Sequence, residues 1–307
     1  MSNTITILMA TYNGEKYLRN QLLSLLQQTH EDWVLWIRDD GSTDQTLAMI
    51  DEFCKRDSRI RFSPSSQTKA GAAKNFFSLL PLSQTPYTIF CDQDDIWFEK
   101  KLEHLLAHAS IHLRPDRPGF VYCDAYSYES TQGRITASSV SYLHATSLQE
   151  FLFFNSGYQG CSILFNAPLC QMATAYTPPF FMHDDIISLL GHTFGDVAFL
   201  PLPLMLYRQH NANVTQQIHR TLGSILKSFF RPKAAVISRS HYEEKRAFFT
   251  FYHEKLSPEQ RTLFEAYLNY PHRSFIGRLM TVLRHRFSLG GHHLVLIAKT
   301  LLRRPLA

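Results

Sequence analysis

Residues 87–97 read YTIFCDQDDIW, an apolar run that stops at three carboxylates within four residues. A short apolar run rich in β-branched and aromatic residues and closed by a polar cluster predicts a buried strand, here at 87–91. From Trp97 to residue 109 the apolar positions recur at helical spacing. This stretch therefore predicts a strand, a charged loop and a helix in direct succession.

The same alternation of strand and helix extends back to the N-terminus. We expect strands at 4–10, 33–38 and 60–62, and helices at 16–28, around 47–54 and at 72–80. Ser42, followed three residues later by Gln45, resembles a capping box in front of the second helix. Alternation over about 110 residues predicts an α/β fold, with a parallel sheet and helices on both of its faces.

Polar clusters follow three of these predicted strands, at 11–14, 39–42 and 92–95. In open α/β sheets, ligands bind in the crevice beyond the carboxyl ends of the strands. We therefore expect these three clusters, which are distant in sequence, to share one crevice.

Beyond residue 110 the pattern is less regular. Strands are expected at 120–124, 162–166 and 197–200, and Pro201 and Pro203 indicate a turn after the last of them. From about residue 218 the sequence is basic and aromatic, and its pattern predicts helices. We predict one domain over 1–217, with halves of about 1–110 and 111–217, followed by a helical region over 218–307.

Charge is unevenly distributed along the 307 residues. From Arg220 onward there are 16 Lys and Arg against 5 Asp and Glu, whereas residues 1–219 hold 15 against 21. An acidic front part suits metal binding, and a basic tail suits anionic partners such as phospholipid head groups, nucleic acid or a pyrophosphate-linked acceptor. The five cysteines form no CxxC pair and are predicted to be reduced. We expect neither a signal peptide nor a membrane-spanning segment, because no uncharged apolar run approaches about 20 residues.

The tetrad Asp92-Gln93-Asp94-Asp95 carries the most chemical information. Its carboxylates repel one another unless a cation lies among them, and hard oxygen ligands suit Mg²⁺ or Mn²⁺. Such an ion neutralises charge on a leaving diphosphate. The alternative interpretation is a solvated acidic turn that caps the following helix.

Three further clusters each allow a functional and a structural interpretation. Asp39-Asp40 suits either recognition of a pyrimidine imide N–H or a capped turn. His183-Asp184-Asp185 suits either a general base or a helix N-cap. Tyr207-Arg208-Gln209-His210 suits either contact with a diphosphate and metal or a polar loop. The chain has no GxGxxG, GxxxxGK[ST] or GxSxG motif, so the corresponding nucleotide-binding and hydrolase classes lack support.

Four motifs in order resemble family 2 glycosyltransferases of the GT-A fold, and in particular bacterial rhamnosyltransferase-type members. They are ILMATYNG (7–14), WIRDDGSTD (36–44), FCDQDDIW (90–97) and YRQHNANV (207–214). The resemblance spans about residues 4–215 and implies a Rossmann-like, mostly parallel sheet flanked by helices. The QxxRW motif that is usual in the family is absent, and YRQH stands near its place.

The resemblance also implies a role for individual residues. Nucleotide-sugar contacts are implied for Thr11, Tyr12, Asn13, Asp39, Asp40, Asn75, Asp92 and Arg208. Metal ligation, by Mg²⁺ or Mn²⁺ as cofactor, is implied for Asp92, Asp94, Asp95 and His210. Asp184 would deprotonate the acceptor hydroxyl, with Asp185 as the second choice.

The implied reaction is a single displacement with inversion at the anomeric carbon, in cell-surface polysaccharide synthesis. The donor would be a dTDP- or UDP-linked sugar, with rhamnose as the expected sugar, and the acceptor a saccharide or a lipid-linked glycan. We expect a cytoplasmic protein without a nucleic-acid partner, whose basic tail either docks on the anionic inner face of the membrane or packs as a helical cap. A sugar-nucleotide nucleotidyltransferase and a non-catalytic nucleotide-sugar-binding scaffold are the alternatives.

Overall fold

The computed structural model describes residues 3–64, 69–209 and 234–307. These residues form two compact units. The first contains the described residues up to 142, 158–176 and those from 182 to 209; the second contains 143–157, 177–181 and 234–307. Two short segments that we expected in the N-terminal domain therefore group with the C-terminal unit. The predicted boundary at 217/218 itself lies outside the described residues.

The first unit is built on a sheet of nine strands among the described residues. In spatial order these are β3-β2-β1-β4-β8-β6-β9-β5, with β7 paired to β6. Their bounds are β1 Ile5–Thr11, β2 Trp33–Asp39, β3 Ile60–Phe62, β4 Tyr87–Cys91, β5 Ile96–Trp97, β6 Gly119–Glu129, β7 Arg134–Ala137, β8 Ile163–Asn166 and β9 Asp196–Gln209. Strands β1, β2, β3, β4, β6 and β9 run in the same direction, and β5, β7 and β8 run against them.

Helices join most of these strands. Their bounds are α1 Leu18–Leu26, α2 Thr46–Arg56, α3 Ala72–Leu79, α4 Lys101–His112, α5 Leu148–Phe151, α6 Ala167–Thr174 and α7 His183–Phe194, of which α5 belongs to the second unit. The core between sheet and helices is aliphatic and aromatic, with Ile7, Leu22, Leu35 and Phe53 all fully buried. The mostly parallel α/β architecture predicted from the alternation is confirmed.

Three local predictions were wrong. The capping box does not form, because the Ser42 hydroxyl donates to Asp39 and α2 begins only at Thr46, after Gln45. The helix predicted from Trp97 begins at Lys101, since Trp97 ends the two-residue strand β5, which pairs with β9. Pro201 and Pro203 lie within the long strand β9 instead of at a turn, at a place where its register with β6 shifts.

The second unit is mainly helical. After β10 (Ala235–Ile237) come α8 Arg239–Tyr252, α9 Pro258–Asn269, α10 Phe275–Arg284 and α11 His293–Leu302, and then β11 (Arg304–Leu306), which pairs in parallel with β10. Buried charges on α8 hold the unit's two N-terminal segments: Glu244 accepts from the Phe181 N–H at 2.8 Å, and Lys245 donates to the Phe154 carbonyl at 2.8 Å. Over the residues that the structure describes, no helix is long and apolar enough to cross a bilayer.

Candidate active site

The ends of three neighbouring strands bring the polar clusters to one edge of the sheet. Thr11 pairs with Asp39 at the ends of β1 and β2, and Met9 of β1 pairs with Cys91 at the end of β4. Because these strands are parallel, the loops that follow them leave the sheet at the same edge. The convergence inferred from the sequence is present.

The Asp39 carboxylate organises the first two loops. It accepts four hydrogen bonds: from the Thr11 hydroxyl (2.9 Å), from the Gly41 and Ser42 N–H groups (2.9 and 2.7 Å) and from the Ser42 hydroxyl (2.5 Å). Ser42 in turn accepts from the N–H of Asn13, a residue held at φ 45°. Asp39 thus has its acceptor capacity used within the protein.

The Asp40 carboxylate accepts fewer hydrogen bonds than the Asp39 carboxylate. Each of its oxygens accepts one backbone N–H, from Ala70 and from Gly71, both at 2.8 Å. Asn75, at 1% exposure on α3, donates to the Arg38 carbonyl at 3.2 Å, and its Oδ1 has no partner among the described residues. Asp40 and Asn75 therefore retain acceptor capacity at this edge.

Gln93 ties the loop after β4 to the loop after β1. Its side-chain amide accepts from the Tyr12 N–H and donates to the Tyr12 carbonyl, both at 3.0 Å. A Cβ atom at Gly14 would lie 2.4 Å from the Gln93 Oε1, so a larger residue there would displace this amide from Tyr12. The Tyr12 side chain is left about half exposed.

Arg208, at the end of β9, lies beside the acidic tetrad. The backbone N–H of Arg208 donates to the carboxylate of the buried Asp95 at 3.0 Å, and the Arg208 Nε donates to the backbone carbonyl of Asp94 at 2.5 Å. The guanidinium lies over the rings of Tyr17 and Tyr128, at 4.5 and 5.2 Å from their centroids. The other oxygen of Asp95 has no hydrogen-bond partner among the described residues, although Asp95 is only 1% exposed.

Burial and mutual repulsion perturb these carboxylates. Burial, followed by the charge of Asp94, raises the pKa of Asp92 to about 6, against the opposing effects of a Cys161 hydrogen bond and the Lys101 charge. Burial, with Asp94 and Asp92, raises the pKa of Asp95 well above its ordinary value. A ligand atom from each of Asp92, Asp95 and Cys161 lies within 4.8 Å of the other two.

Lys101 is a fully buried cation beneath this cluster. Its Nζ donates to the Cys161 carbonyl at 2.7 Å, lies 2.9 Å from the Met205 Sδ and stands 3.7 Å from the Trp97 ring centroid. Sequence reasoning missed Lys101 and predicted of Cys161 only that it is reduced. Lys101 stands in a charged stretch typical of an exposed helix (EKKLEH, 99–104) and Cys161 stands before an apolar run, so neither pattern indicates a place beside the tetrad.

The donor set fits a divalent cation. The tetrad supplies hard carboxylate oxygens, one buried oxygen of Asp95 lacks a partner within the described chain, and burial together with the neighbouring carboxylate charges raises the pKa of Asp92 and Asp95. A bound cation would relieve each of these features. His210, the fourth predicted ligand, lies outside the described residues.

Helix α7 brings a further carboxylate to the cluster. Burial, then the charges of Asp185 and Asp92, raises the pKa of Asp184 well above its ordinary value, so Asp184 and Asp92 are electrostatic neighbours. Asp185, at 5% exposure, donates its backbone N–H to the Asp184 carboxylate at 3.0 Å. Both residues that we predicted as candidate bases therefore lie in the first turn of one helix, and the charge of Asp92 contributes to the raised pKa of Asp184.

His183 is a core residue. Its ring stacks on Phe76 at 4.2 Å and meets Phe90 edge-on at 4.8 Å. Burial lowers its pKa to about 3, so the imidazole is neutral at physiological pH. A Cβ on Gly160 would collide with this ring, so a glycine lets the segment before β8 approach α7.

Comparison with known proteins identifies the family. The sequence profile of "Glycosyl transferase family 2" matches residues 6–169, more than half of the chain. The chain belongs to glycosyl transferase family 2. The match covers the tetrad, both loops that Asp39 and Asp40 organise, and Lys101, and it ends before α7.

Among individual proteins, the chain is similar to "dTDP-rhamnosyl transferase RfbG" of Shigella flexneri. The two are 29% identical over 254 residues, which make up 76% of this chain and 84% of the relative. This similarity extends beyond the profile match and agrees with the predicted resemblance to rhamnosyltransferase-type members of the family.

Solved structures share the fold. S. aureus TarS has a TM-score of 0.59 at 16% identity and covers 89% of this chain, although the match spans only 44% of the TarS chain. TarS 1–349 in complex with UDP-GlcNAc has a TM-score of 0.57 at 13% identity, over 97% of this chain and 90% of that one. The mannosyltransferase PcManGT of Pyrobaculum calidifontis, in complex with GDP-Man and Mn²⁺, gives 0.53 at 12% identity, over 97% and 79%. The expected GT-A fold is confirmed, and this family 2 member is a glycosyltransferase.

Proposed function

We propose that this glycosyltransferase is a metal-dependent, inverting enzyme that moves a sugar from a nucleotide-diphosphate donor to a saccharide or lipid-linked acceptor in cell-surface polysaccharide synthesis. One observation carries the proposal. The consecutive residues Gly160 and Cys161 link Asp184, a base candidate, to the tetrad: a Cβ at Gly160 would lie 3.4 Å from the Asp184 Cβ, and the Cys161 thiol lies within 4.8 Å of a carboxylate oxygen of Asp92 and of Asp95. The charge of Asp92 accordingly contributes to the raised pKa of Asp184. A base and a cation site next to each other are what a displacement at a sugar–diphosphate bond requires.

The donor half of the proposal rests on the loops after β1 and β2. Asp40 has acceptor capacity for the imide N–H of thymine or uracil, whereas Asp39 is occupied by four bonds of its own. The half-exposed ring of Tyr12 offers a face for the base. The name of the Shigella relative favours dTDP-rhamnose as donor, and the UDP-GlcNAc complex of TarS supports a UDP-sugar as the alternative.

Asp92, Asp94 and Asp95 would hold Mg²⁺ or Mn²⁺, and the Mn²⁺ complex of PcManGT supports a divalent ion in this fold. When bound, such an ion supplies Lewis-acid stabilisation of the leaving diphosphate. Arg208, fixed between Asp94 and Asp95, would add a second positive charge beside the same group.

Asp184 would act on the acceptor. Its carboxylate takes the proton of the acceptor hydroxyl as that oxygen bonds to the anomeric carbon, and the bond from this carbon to the diphosphate oxygen breaks with its electron pair. One displacement inverts the configuration and requires no covalent sugar–enzyme intermediate. The raised pKa of Asp184 makes it a stronger base than an ordinary aspartate once it is ionised.

The decisive experiment compares Asp184→Asn with the matched surface change Asp116→Asn, since Asp116 is exposed. Each protein is assayed for release of the nucleotide diphosphate from dTDP-rhamnose and UDP-sugars in the presence of Mn²⁺ and acceptor. We expect Asp184→Asn to lower kcat by about 10²–10⁴-fold with donor affinity retained, and Asp116→Asn to behave as wild type. Unchanged turnover in Asp184→Asn would reject the assigned base, and absence of transfer by wild type with every donor would favour a non-catalytic scaffold.

A further inference from the structure

Exposed apolar side chains concentrate in the second unit. Among the described residues, seven of the sixteen large apolar side chains that are exposed fall between 275 and 302. They are Phe275, Ile276, Met280, Leu283, Leu294, Leu301 and Leu302. Single exposed apolar residues are ordinary on a protein surface, but a group of this size in one short segment marks an interaction surface.

On α10 these residues form a stripe on the side opposite the packed face. Ile276 (71% exposed), Met280 and Leu283 stand at positions i, i+4 and i+7, which lie within an arc of about 60° at 100° per residue. The buried residues of the same helix, Thr281 and Val282, lie outside this arc. The helix therefore has apolar residues both where it packs and where it meets solvent.

Helix α11 repeats this arrangement. Leu294 (79% exposed) and Leu301 are seven residues apart on one side, whereas Leu296 and Thr300 are buried on the other. We call Ile276, Met280, Leu283, Leu294 and Leu301 the apolar ridge.

Along the sequence, every charged residue of the segment that carries the apolar ridge is basic. After Glu265 there is no Asp or Glu up to Ala307, while seven Lys and Arg occur. Arg273, Arg284 and Arg286 are exposed, and within the part of the chain that the structure describes they form no ion pair. An apolar ridge bordered by unpaired arginines is complementary to a surface with an apolar interior and negatively charged head groups.

We propose that the apolar ridge docks on an anionic lipid surface, with the ridge in the acyl boundary and the flanking arginines at the phosphates. The charge distribution selects this occupant, because a second copy of the chain would bring the same basic border against itself. The inference rests on the proposed function in one respect: a lipid-linked acceptor would give the enzyme a reason to lie on a membrane.

The test uses the full chain and co-sedimentation with vesicles of phosphatidylcholine, with and without phosphatidylglycerol. Ile276→Ser/Met280→Ser/Leu283→Ser is compared with Ile111→Ser, which alters a 76% exposed apolar residue on α4 of the first unit. We expect wild type and Ile111→Ser to bind only anionic vesicles, and the triple variant to bind at least about tenfold more weakly. Equal binding by the triple variant overturns the proposal.

A second variant tests the charges. Arg273→Gln/Arg284→Gln/Arg286→Gln should weaken anionic-vesicle binding by up to about fivefold per removed charge and flatten its dependence on salt. Wild-type binding that is equally strong on phosphatidylcholine alone, or concentration-dependent dimerisation abolished by the ridge variant, would overturn a lipid surface as the partner. Turnover with a water-soluble acceptor should stay at wild-type level in both triple variants, so failure of docking and failure of the transferase proposal give different results.

Discussion

Two buried histidines of the first unit predict a specific loss of stability in acid. His183 and His192 lie on α7, and burial lowers the pKa of each to about 3. His183 packs between Phe76 and Phe90, while the Nε2 of His192 lies 3.1 Å from the Tyr158 hydroxyl. Both rings are neutral when folded and titrate freely only when the chain unfolds.

The magnitude follows from linkage. A histidine whose pKa is depressed on folding contributes its full stability above about pH 6.5, and this contribution falls as the pH drops from there toward 3. At pH 5.0 the unfolded ring lies about 1.5 units below its ordinary pKa, which at about 1.36 kcal/mol per unit costs about 2 kcal/mol for each histidine. The raised pKa values of Asp92, Asp95 and Asp184 act with the opposite sign, because the folded chain retains their protons.

Because these effects oppose one another, we compare wild type and a histidine variant by the unfolding free energy that each loses between two pH values. Urea unfolding of wild type and His192→Gln is followed at pH 7.5 and 5.0 by tryptophan fluorescence. All three tryptophans, Trp33, Trp36 and Trp97, lie in the same unit as the histidines. We expect wild type to lose about 2 kcal/mol more than His192→Gln between the two pH values.

The control is a histidine whose ring is accessible. His104→Gln, at a partly exposed position of α4, should show the pH dependence of wild type. Equal losses in wild type and His192→Gln would refute the reasoning, since they would mean that the His192 ring takes up its proton in the folded state.

Three further predictions follow from the site. The tetrad should bind the nucleotide diphosphate through a cation. In the presence of Mn²⁺, dTDP or UDP at about 100 times its Kd should therefore stabilise the protein by about 2.7 kcal/mol. A chelator should abolish the corresponding rise in melting temperature. Asp39→Asn should cost about 1–3 kcal/mol of unfolding free energy by leaving loop donors unpaired, whereas Asp40→Asn should mainly raise the KM for the donor. Lys101→Met should cost about 1–3 kcal/mol in urea unfolding because it leaves the buried Cys161 carbonyl without its donor, while Lys55→Met, which removes an exposed ion pair with Asp51, should cost less than about 0.5 kcal/mol.

Most strands of the first unit could be predicted because their signals are local, whereas β5 and β7 were missed. The strand at 87–91 was predicted with the bounds it has, since an apolar run stops abruptly at the tetrad. By contrast, β5 consists of two residues whose extended conformation depends on pairing with β9, more than a hundred residues later. No periodicity can reveal a strand of that length, so the sequence assigned Trp97 to the next helix.

The position of the site was predictable for the same reason, but the hydrogen bonding of its individual residues was not. Polar residues after parallel strands must meet at one edge, and Thr11, Asp39 and the tetrad do so. The sequence does not reveal that the Asp39 carboxylate accepts four hydrogen bonds from the protein whereas the Asp40 carboxylate accepts two. Adjacent, chemically identical side chains differ here only through the backbone donors that the fold presents to each.

The fold places Asp184 under the influence of a carboxylate that is distant in sequence, which residue spacing cannot reveal. A pattern places Asp184 and Asp185 one residue apart and far from Asp92, whereas in the folded chain the charge of Asp92 contributes to the raised pKa of Asp184. A positive charge bound at the tetrad would also interact with the Asp184 carboxylate, because the Coulomb energy depends on the distance between charges in the folded chain and not on their separation in sequence. A cation bound at the tetrad would therefore favour the ionised form of Asp184, the form that accepts a proton. The same proximity that raises the pKa of Asp184 would therefore make its ionisation depend on whether a cation is bound at the tetrad.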